Sequence, residues 1–314
     1  MNKSIVKVSI IVPVYNLAHE VTHALDSILA QQDAPDFEVL VIDDHSTDNS
    51  FSVVSEYAKK DSRIKVMTNT RGKGVAGARN TGFENAQGQW ITFLDSDDSW
   101  EVNNLSTFIK AIAKNPSTDI FTADRYETIK PGQVERLTDF EPIWQKYFSA
   151  ANASGEYLRV DNPAQVFFDE GVLMRTGSGL IRKSLIEKVG YCDETLKAAV
   201  DMSWFFKLAT QVDHIVYVPT PVMNYQHRSD SLTRNIPFGI YGVGAYKKML
   251  TQDEFKAFTP QIKKQVALWS LDSCYYYRKN KDKLKAIKAG FDAVYYDPSN
   301  SEYWKNFFAA LLLR

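Results

Sequence analysis

Three carboxylates crowd into one short turn at Asp95, Asp97 and Asp98, with Ser96 between them. The run before them, Trp90-Ile91-Thr92-Phe93-Leu94, is apolar and strand-forming, and such runs bounded by turn residues read as buried β-structure. Ligands of open α/β sheets bind outside the carboxyl ends of the strands. Like charges held this close raise one another's cost of ionisation, and a divalent cation relieves it. We therefore expect a cation at this turn, the plain alternative being a solvated cap for the next helix. A second acidic pair, Asp43-Asp44, ends the run Phe37–Ile42, and another acid, Asp201, opens an apolar stretch. Arg71 and Lys73 lie on a loop with three glycines, just before a predicted helix that carries Arg79. Cations and a helix N-terminus together suit an anionic ligand.

These residues need a scaffold that brings strand ends together. Predicted strands at 8–16, 37–42, 63–68, 90–94 and 118–123 alternate with predicted helices at 19–31, 49–60, 78–87 and 101–114. That rhythm predicts a parallel sheet with helices on both faces, its strand ends gathered on one side by right-handed crossovers. Pro13 cannot donate to a ladder, so strand pairing should loosen there. After Asp124 the rhythm weakens. Residues 130–165 read as loop-rich, 171–181 as a strand with a helix over 182–189, 202–211 as a helix, and 214–218 and 221–226 as short strands. From about 238 onward the chain reads as helical and rich in Lys and Tyr.

Several motifs occur together and in order: Val8 to Asn16 ending Pro-Val-Tyr-Asn, Val41-Ile42-Asp43-Asp44-His45-Ser46-Thr47-Asp48, Gly77-Ala78-Arg79-Asn80-Thr81-Gly82, and Phe93-Leu94-Asp95-Ser96-Asp97-Asp98. In this the chain resembles the inverting, GT-A-fold glycosyltransferases of family 2, strongly over about 5–125 and more loosely over 171–235. The resemblance implies a Rossmann-like, mostly parallel sheet flanked by helices, with a helical C-terminal extension. Residues 1–125 would be the nucleotide-sugar-binding half, 126–235 the acceptor-binding half and 236–314 the helical C-terminal region. Asp95-Ser96-Asp97 looks like the family's Asp-X-Asp motif, with Asp97 on Mn²⁺ or Mg²⁺ and Asp95 and Ser96 on the nucleotide side. Asp44, with Asp43 beside it, would accept the uracil N3–H of a UDP-sugar. Pro13 and Tyr15 would flank the base, and Arg71, Lys73 and Arg79 would serve base and phosphates.

Further on, Val189-Gly190-Tyr191-Cys192-Asp193-Glu194 resembles the segment leading to the family's Glu-Asp motif, which here reads Val200-Asp201. The first acid is missing, while Asp201 matches the general base that would deprotonate the hydroxyl of a glycan acceptor. His227 lies in a stretch like the family's late His-containing loop and would hold metal or diphosphate. Two other readings stay open. One is a nucleotide- or sugar-binding protein with a degenerate catalytic site, motivated by Val200. The other is a nicotinamide-dependent oxidoreductase, because Gly72-Lys73-Gly74-Val75-Ala76-Gly77 satisfies G-x-G-x-x-G with Asp95 about 20 residues on. The glycine motif follows the third predicted strand and not the first, which argues against the latter.

The chain of 314 residues is 44% hydrophobic and 24% charged, with net charge -1. That is ordinary globular composition, and nothing global points to nucleic acid. Cys192 and Cys274 have no metal-ligand spacing and read as two thiols. Met1-Asn2-Lys3-Ser4 leads into a strand without a signal-peptide pattern,. No apolar run approaches the roughly 18 residues of a membrane span. We expect a cytoplasmic protein, at the inner face of a membrane if its tail docks there. The tail run Tyr303 to Arg314 mixes aromatic and apolar residues with flanking Lys and Arg. It suits a peripheral membrane contact, a homo-oligomer contact or packing on the protein's own helices.

Overall fold

The computed structural model describes residues 8–130, 133–136, 148, 154–171, 174–226 and 238–313. The described residues within Met1–Glu194 and Trp204–His227 form one compact unit, and those within Thr195–Ser203 and Arg228–Arg314 form a second.

The first unit is a mixed α/β layer structure. Its strands and helices begin with β1 (Val8–Val14), α1 (Glu20–Leu29), β2 (Phe37–Asp43), α2 (Ser50–Lys60), β3 (Ile64–Thr68), α3 (Val75–Asn85), β4 (Trp90–Phe93), β5 (Ser99–Trp100) and α4 (Asn104–Lys114). They continue with β6 (Ile120–Ala123), β7 (Tyr126–Lys130), β8 (Gln133–Arg136), β9 (Leu158–Asp161), α5 (Pro163–Glu170), β10 (Gly179–Arg182) and α6 (Lys183–Val189). Helix α7 (Val200–Ala209) opens in the second unit, and β11 (His214–Val218) and β12 (Met223–Tyr225) return to the first.

The main sheet runs β3-β2-β1-β4-β10-β6-β11-β9. Strands β3, β2, β1 and β4 are mutually parallel, as are β6 and β11, while β10 and β9 pair antiparallel. Every residue of β1 and β2 is buried, as strands covered on both faces require. Val21, Leu25 and Ile28 of α1 fill the core beside Val39, Val41 and Phe108. The β1–β2 register runs through Pro13, opposite Ile42, whereas the β1–β4 register ends at Ile11 opposite Phe93. A smaller sheet, β5-β12-β7-β8, follows the acidic turn.

Two expected boundaries move for backbone reasons. Helix α3 starts at Val75 and not at 78, directly after Gly74 at φ +124°. The strand expected over 171–181 is confined to Gly179–Arg182, because Gly177 turns the chain at φ +87°. A Cβ on Gly177 would sit 2.7 Å from the Met223 sulfur.

The second unit is helical: α8 (Phe238–Met249), a 3-10 turn (Asp253–Phe258), α9 (Thr259–Lys279), α10 (Lys283–Tyr296) and α11 (Ser301–Leu311). Asp282 and Asn300 cap α10 and α11 by accepting from the N–H groups of Lys285 and Glu302, which supplies partners that a first helical turn lacks. The segment of the first turn of α7, including Asp201, belongs to this unit.

Candidate active site

The parallel strands β1, β2 and β4 deliver three loops to one end of the sheet. The loops after β1 and β2 are laced together by short polar side chains. Asn16, at φ +52°, accepts from the Thr47 N–H at 2.7 Å and donates its own N–H to Ser46 Oγ at 3.1 Å. Ser50 Oγ accepts from Leu17 N–H at 2.9 Å, and Asp48 accepts from Ala18 N–H at 3.2 Å. Small polar side chains bond backbone groups readily in turns. Here they fix the frame in which Tyr15 and the Asp43-Asp44 pair stand. Tyr15 is 44% exposed and is no core tyrosine. The Lys73 ammonium lies 4.7 Å from its ring centroid, a cation–π pair.

The two acids of the pair are differently employed. Asp44 is buried and engaged by protein at both oxygens: Oδ1 accepts from Asn69 Nδ2 at 2.6 Å and Oδ2 from the Gly74 N–H at 2.8 Å. It is a brace for the glycine loop. Asp43 is also buried; its Oδ2 accepts from the Ser46 N–H at 3.1 Å, while Oδ1 has no hydrogen-bond partner among the described residues. A buried acceptor without a donor costs about 1–3 kcal/mol.

The motif Ala78-Arg79-Asn80-Thr81-Gly82 on α3 acquires a physical reading. A Cβ on Gly82 would lie 2.5 Å from Ile11 Cγ2, so α3 lies directly on β1. That approach lets buried Arg79 donate to Asp95 Oδ1 at 2.8 Å. Thr176 Oγ1 donates to Asp95 Oδ2, also at 2.8 Å. Asn80 grips the Cys192 backbone twice, donating to its carbonyl and accepting from its N–H, both at 2.9 Å. Its amide also donates to Glu194 at 2.7 Å. Glu194 in turn accepts from Arg71 Nε at 2.5 Å and from the Gly72 N–H at 3.0 Å. Burial works to raise the Glu194 carboxyl, but these donors outweigh it and hold it below the ordinary range. Arg71 also pairs with Glu84 at 2.5 Å, so its guanidinium is held between two acids in this conformation.

At the acidic turn, Asp95 and Asp97 are half-buried and Ser96 and Asp98 are buried. Asp98 N–H closes the turn on the Asp95 carbonyl at 3.0 Å, and Asp98 Oδ1 accepts from the Gln226 N–H at 3.0 Å. Burial and the Asp95 and Asp97 carboxylates push the Asp98 carboxyl well above its usual range, against Gln226 and the Arg125 guanidinium. Arg125 is itself buried, paired with Glu127, and lowered by burial and by Arg175. An oxygen-only donor set with this charge crowding fits a hard divalent cation. Among the described residues no group of three or more His, Cys, Asp or Glu side chains forms a ready-made metal cage. His227 lies outside the described residues.

Asp201 stands in the first turn of α7, half-buried, after Ala199 at φ +58°. A non-glycine residue in the left-handed region is uncommon and carries backbone strain. Sequence reasoning passed over Asn69, Thr176 and Arg125. It quoted Asn80 and Glu194 inside motifs without giving them a task. Polar motif residues with no ligand role were the signal for the clasp; Asn69 had none.

Comparison with known proteins points the same way. Residues 9–186 match the family model described as glycosyl transferase family 2. A UDP-Glc:alpha-D-GlcNAc-diphosphoundecaprenol beta-1,3-glucosyltransferase, WfgD of Escherichia coli, is 44% identical over 127 residues, covering 40% of this chain and 48% of the relative. TuaG of Bacillus subtilis, a putative teichuronic acid biosynthesis glycosyltransferase, is 36% identical over 115 residues, covering 37% of this chain and 45% of its own. The chain thus spans about half the length of these curated relatives. Among solved structures, S. aureus TarS 1-349 in complex with UDP-GlcNAc superposes with a TM-score of 0.65 at 22% identity, covering 92% of this chain and 81% of that one. The mannosyltransferase PcManGT from Pyrobaculum calidifontis, in complex with GDP-Man and Mn2+, gives 0.60 at 19% identity, covering 98% and 80%. Both likenesses are to the fold. Since the family model covers more than half of the chain, and the clasped glycine loop and acidic turn fall inside it, this protein belongs to glycosyl transferase family 2.

Proposed function

We propose that the chain is a metal-dependent inverting glycosyltransferase that moves a sugar from a UDP-sugar to a hydroxyl of a glycan acceptor. The observation that carries the donor assignment is Asp43 Oδ1, a buried carboxylate oxygen at the end of β2 with no donor among the described residues. It suits a ring N–H such as that of uracil, with Tyr15 and Lys73 beside the base. This moves the base-selective contact from Asp44, which braces the loop, to Asp43. Arg79 holds Asp95 toward the nucleotide, and Pro13 and Ser96 line the donor side. Arg71 serves the donor by fixing its loop through Glu194. The activity for which WfgD is named, UDP-Glc transfer, and the UDP-GlcNAc bound to TarS support a UDP-sugar donor.

In the reaction, Asp201 accepts the proton of the acceptor hydroxyl as its oxygen attacks the anomeric carbon. The bond from that carbon to the diphosphate oxygen breaks on the opposite face, so an α-linked donor yields a β-linked product. Asp97 with His227 would hold Mn²⁺ or Mg²⁺, which when bound offsets charge on the departing diphosphate. The Mn2+ in the PcManGT complex supports that choice.

The test is Asp201→Asn, assayed for transfer and for UDP binding. Transfer should fall about 10²–10⁴-fold, the usual worth of a positioned base, with UDP affinity unchanged. Undiminished transfer would remove Asp201 from the role. A wild-type chain that binds UDP but releases it from no UDP-sugar with Mn²⁺ would be a binding protein instead.

A further inference from the structure

The helical unit has more large apolar side chains than its interior holds. Between α9, α10 and α11 the packed interior combines small residues such as Ala267, Cys274 and Ala293 with Leu271, Val294 and Tyr303, none more than 8% exposed. Further large apolar side chains face outward. Tyr295 is 66% exposed, and Phe291 and Phe308 are each 53% exposed. Leu284, Phe291 and Tyr295 recur at helical spacing along one side of α10, and Trp304 and Phe308 do so on α11. These rows form one surface. Phe291 lies 6.2 Å from Phe307, Phe307 5.9 Å from Phe308, and Phe308 stacks on Trp304 at 6.0 Å, all between ring centroids. Burial favours the opposite arrangement, and a contiguous exposed aromatic patch marks a surface that meets something apolar.

Charge indicates what it meets. Residues 238–314 carry thirteen Lys and Arg against seven Asp and Glu, whereas residues 1–237 carry twenty-four against thirty-one. The excess of positive charge is thus confined to the helical region. Lys288 shares the exposed side of α10 with the apolar row, and Lys305 neighbours Trp304 on α11. Lysines beside Trp, Tyr and Phe suit an anionic interface, where the rings enter the headgroup boundary and the ammonium groups reach phosphate. A second copy docking through the same patch would oppose like charges.

We propose that α10 and α11 form a monotopic docking face for an anionic lipid bilayer, entered by Phe291, Tyr295, Trp304 and Phe308. This goes beyond the catalytic reading and does not depend on it. The test is flotation of the full chain with vesicles of phosphatidylcholine alone or with one-third phosphatidylglycerol. Binding should be at least tenfold greater on the anionic vesicles and fall at least tenfold in Phe291→Ser/Trp304→Ser/Phe308→Ser. Because these side chains are exposed, that variant should keep its circular dichroism. A second readout keeps the proposal falsifiable should it misfold: brominated lipid should quench wild-type fluorescence more than that of Trp304→Phe. Equal partition to both vesicle types, no partition, or no Trp304-dependent quenching overturns the proposal. So does a dimer of the full chain that the triple variant dissolves without changing vesicle binding.

Discussion

At the scale of single residues, the acidic pair after β2 separates two jobs that neighbouring aspartates perform. Asp44 holds Asn69 and Gly74, and Asp43 keeps one oxygen without a donor among the described residues. Asp43→Asn should therefore weaken UDP binding about ten- to a hundredfold, since a hydrogen bond to a charged group is worth roughly 1.5–3 kcal/mol, while thermal stability changes little. Asp44→Asn should do the reverse in part, lowering the melting temperature because the amide cannot accept at both oxygens. Calorimetric titration with UDP and a thermal melt of each variant check the pair. Equal losses of affinity with equal melting temperatures would return the base contact to Asp44. The sequence placed both acids at the right strand end, because an apolar run closing on Asp-Asp is a local pattern. It could not rank them, because the ranking depends on Asn69 and Gly74, which are 25 and 30 residues away.

At the scale of elements, the strand–helix alternation was legible from periodicity, and the parallel order β3-β2-β1-β4 follows from it. What was not legible is how loops are held, since that rests on single polar side chains distant in sequence. The glycine loop is braced by Asp44 on one side and by Glu194 on the other. Glu194→Gln should keep the Gly72 contact and lose the charge that binds Arg71. We expect the KM for the UDP-sugar to rise several-fold, while kcat moves less. Loss of kcat alone would show that the clasp does not act on the glycine loop.

A second buried acid ties the opposite ends of the same strands. Glu38 Oε1 accepts from Ser9 Oγ at 2.6 Å and Gln87 N–H at 2.7 Å, and its Oε2 pairs with Lys65 at 2.8 Å. Burial works to raise this carboxyl, but Lys65, Ser9 and Gln87 hold it below its ordinary value of 4.5. A depressed folded value means the stabilisation is complete above the unfolded pKa and is lost as pH falls through the folded one. Denaturation of Glu38→Gln should therefore show the larger deficit at pH 7 and converge toward wild type as the pH falls below 4.5 and through the depressed folded value,. A deficit that is constant with pH would mean the loss is one of packing alone.

At the scale of the whole molecule, the chain passes between its two compact units at 194/195, at 203/204 and at 227/228. The short passage 195–203 carries Asp201, and Thr195 within it accepts from Lys248 Nζ of α8 at 2.6 Å. The candidate base is thus folded with the helical unit, whereas the candidate donor-binding residues Asp43, Lys73 and Asp97, and the brace Asp44, belong to the sheet unit. The bilayer face proposed on α10 and α11 lies on the same unit as Asp201. Sequence periodicity marked the helices after 238 but could not show that 195–203 packs with them, because that passage is too short to carry a period. The division predicts different fates for binding and turnover when the chain ends at residue 237. The sheet unit retains its own core, so UDP affinity should stay within about threefold of wild type. The first turn of α7 loses the unit that it packs with, and a catalytic group displaced by about 1 Å costs around 10²-fold. Sugar transfer should then fall at least that far, read as product formed per bound UDP-sugar. Transfer that survived the truncation would place the base on the sheet unit, and Asp201→Asn in the truncated chain would then leave it unchanged.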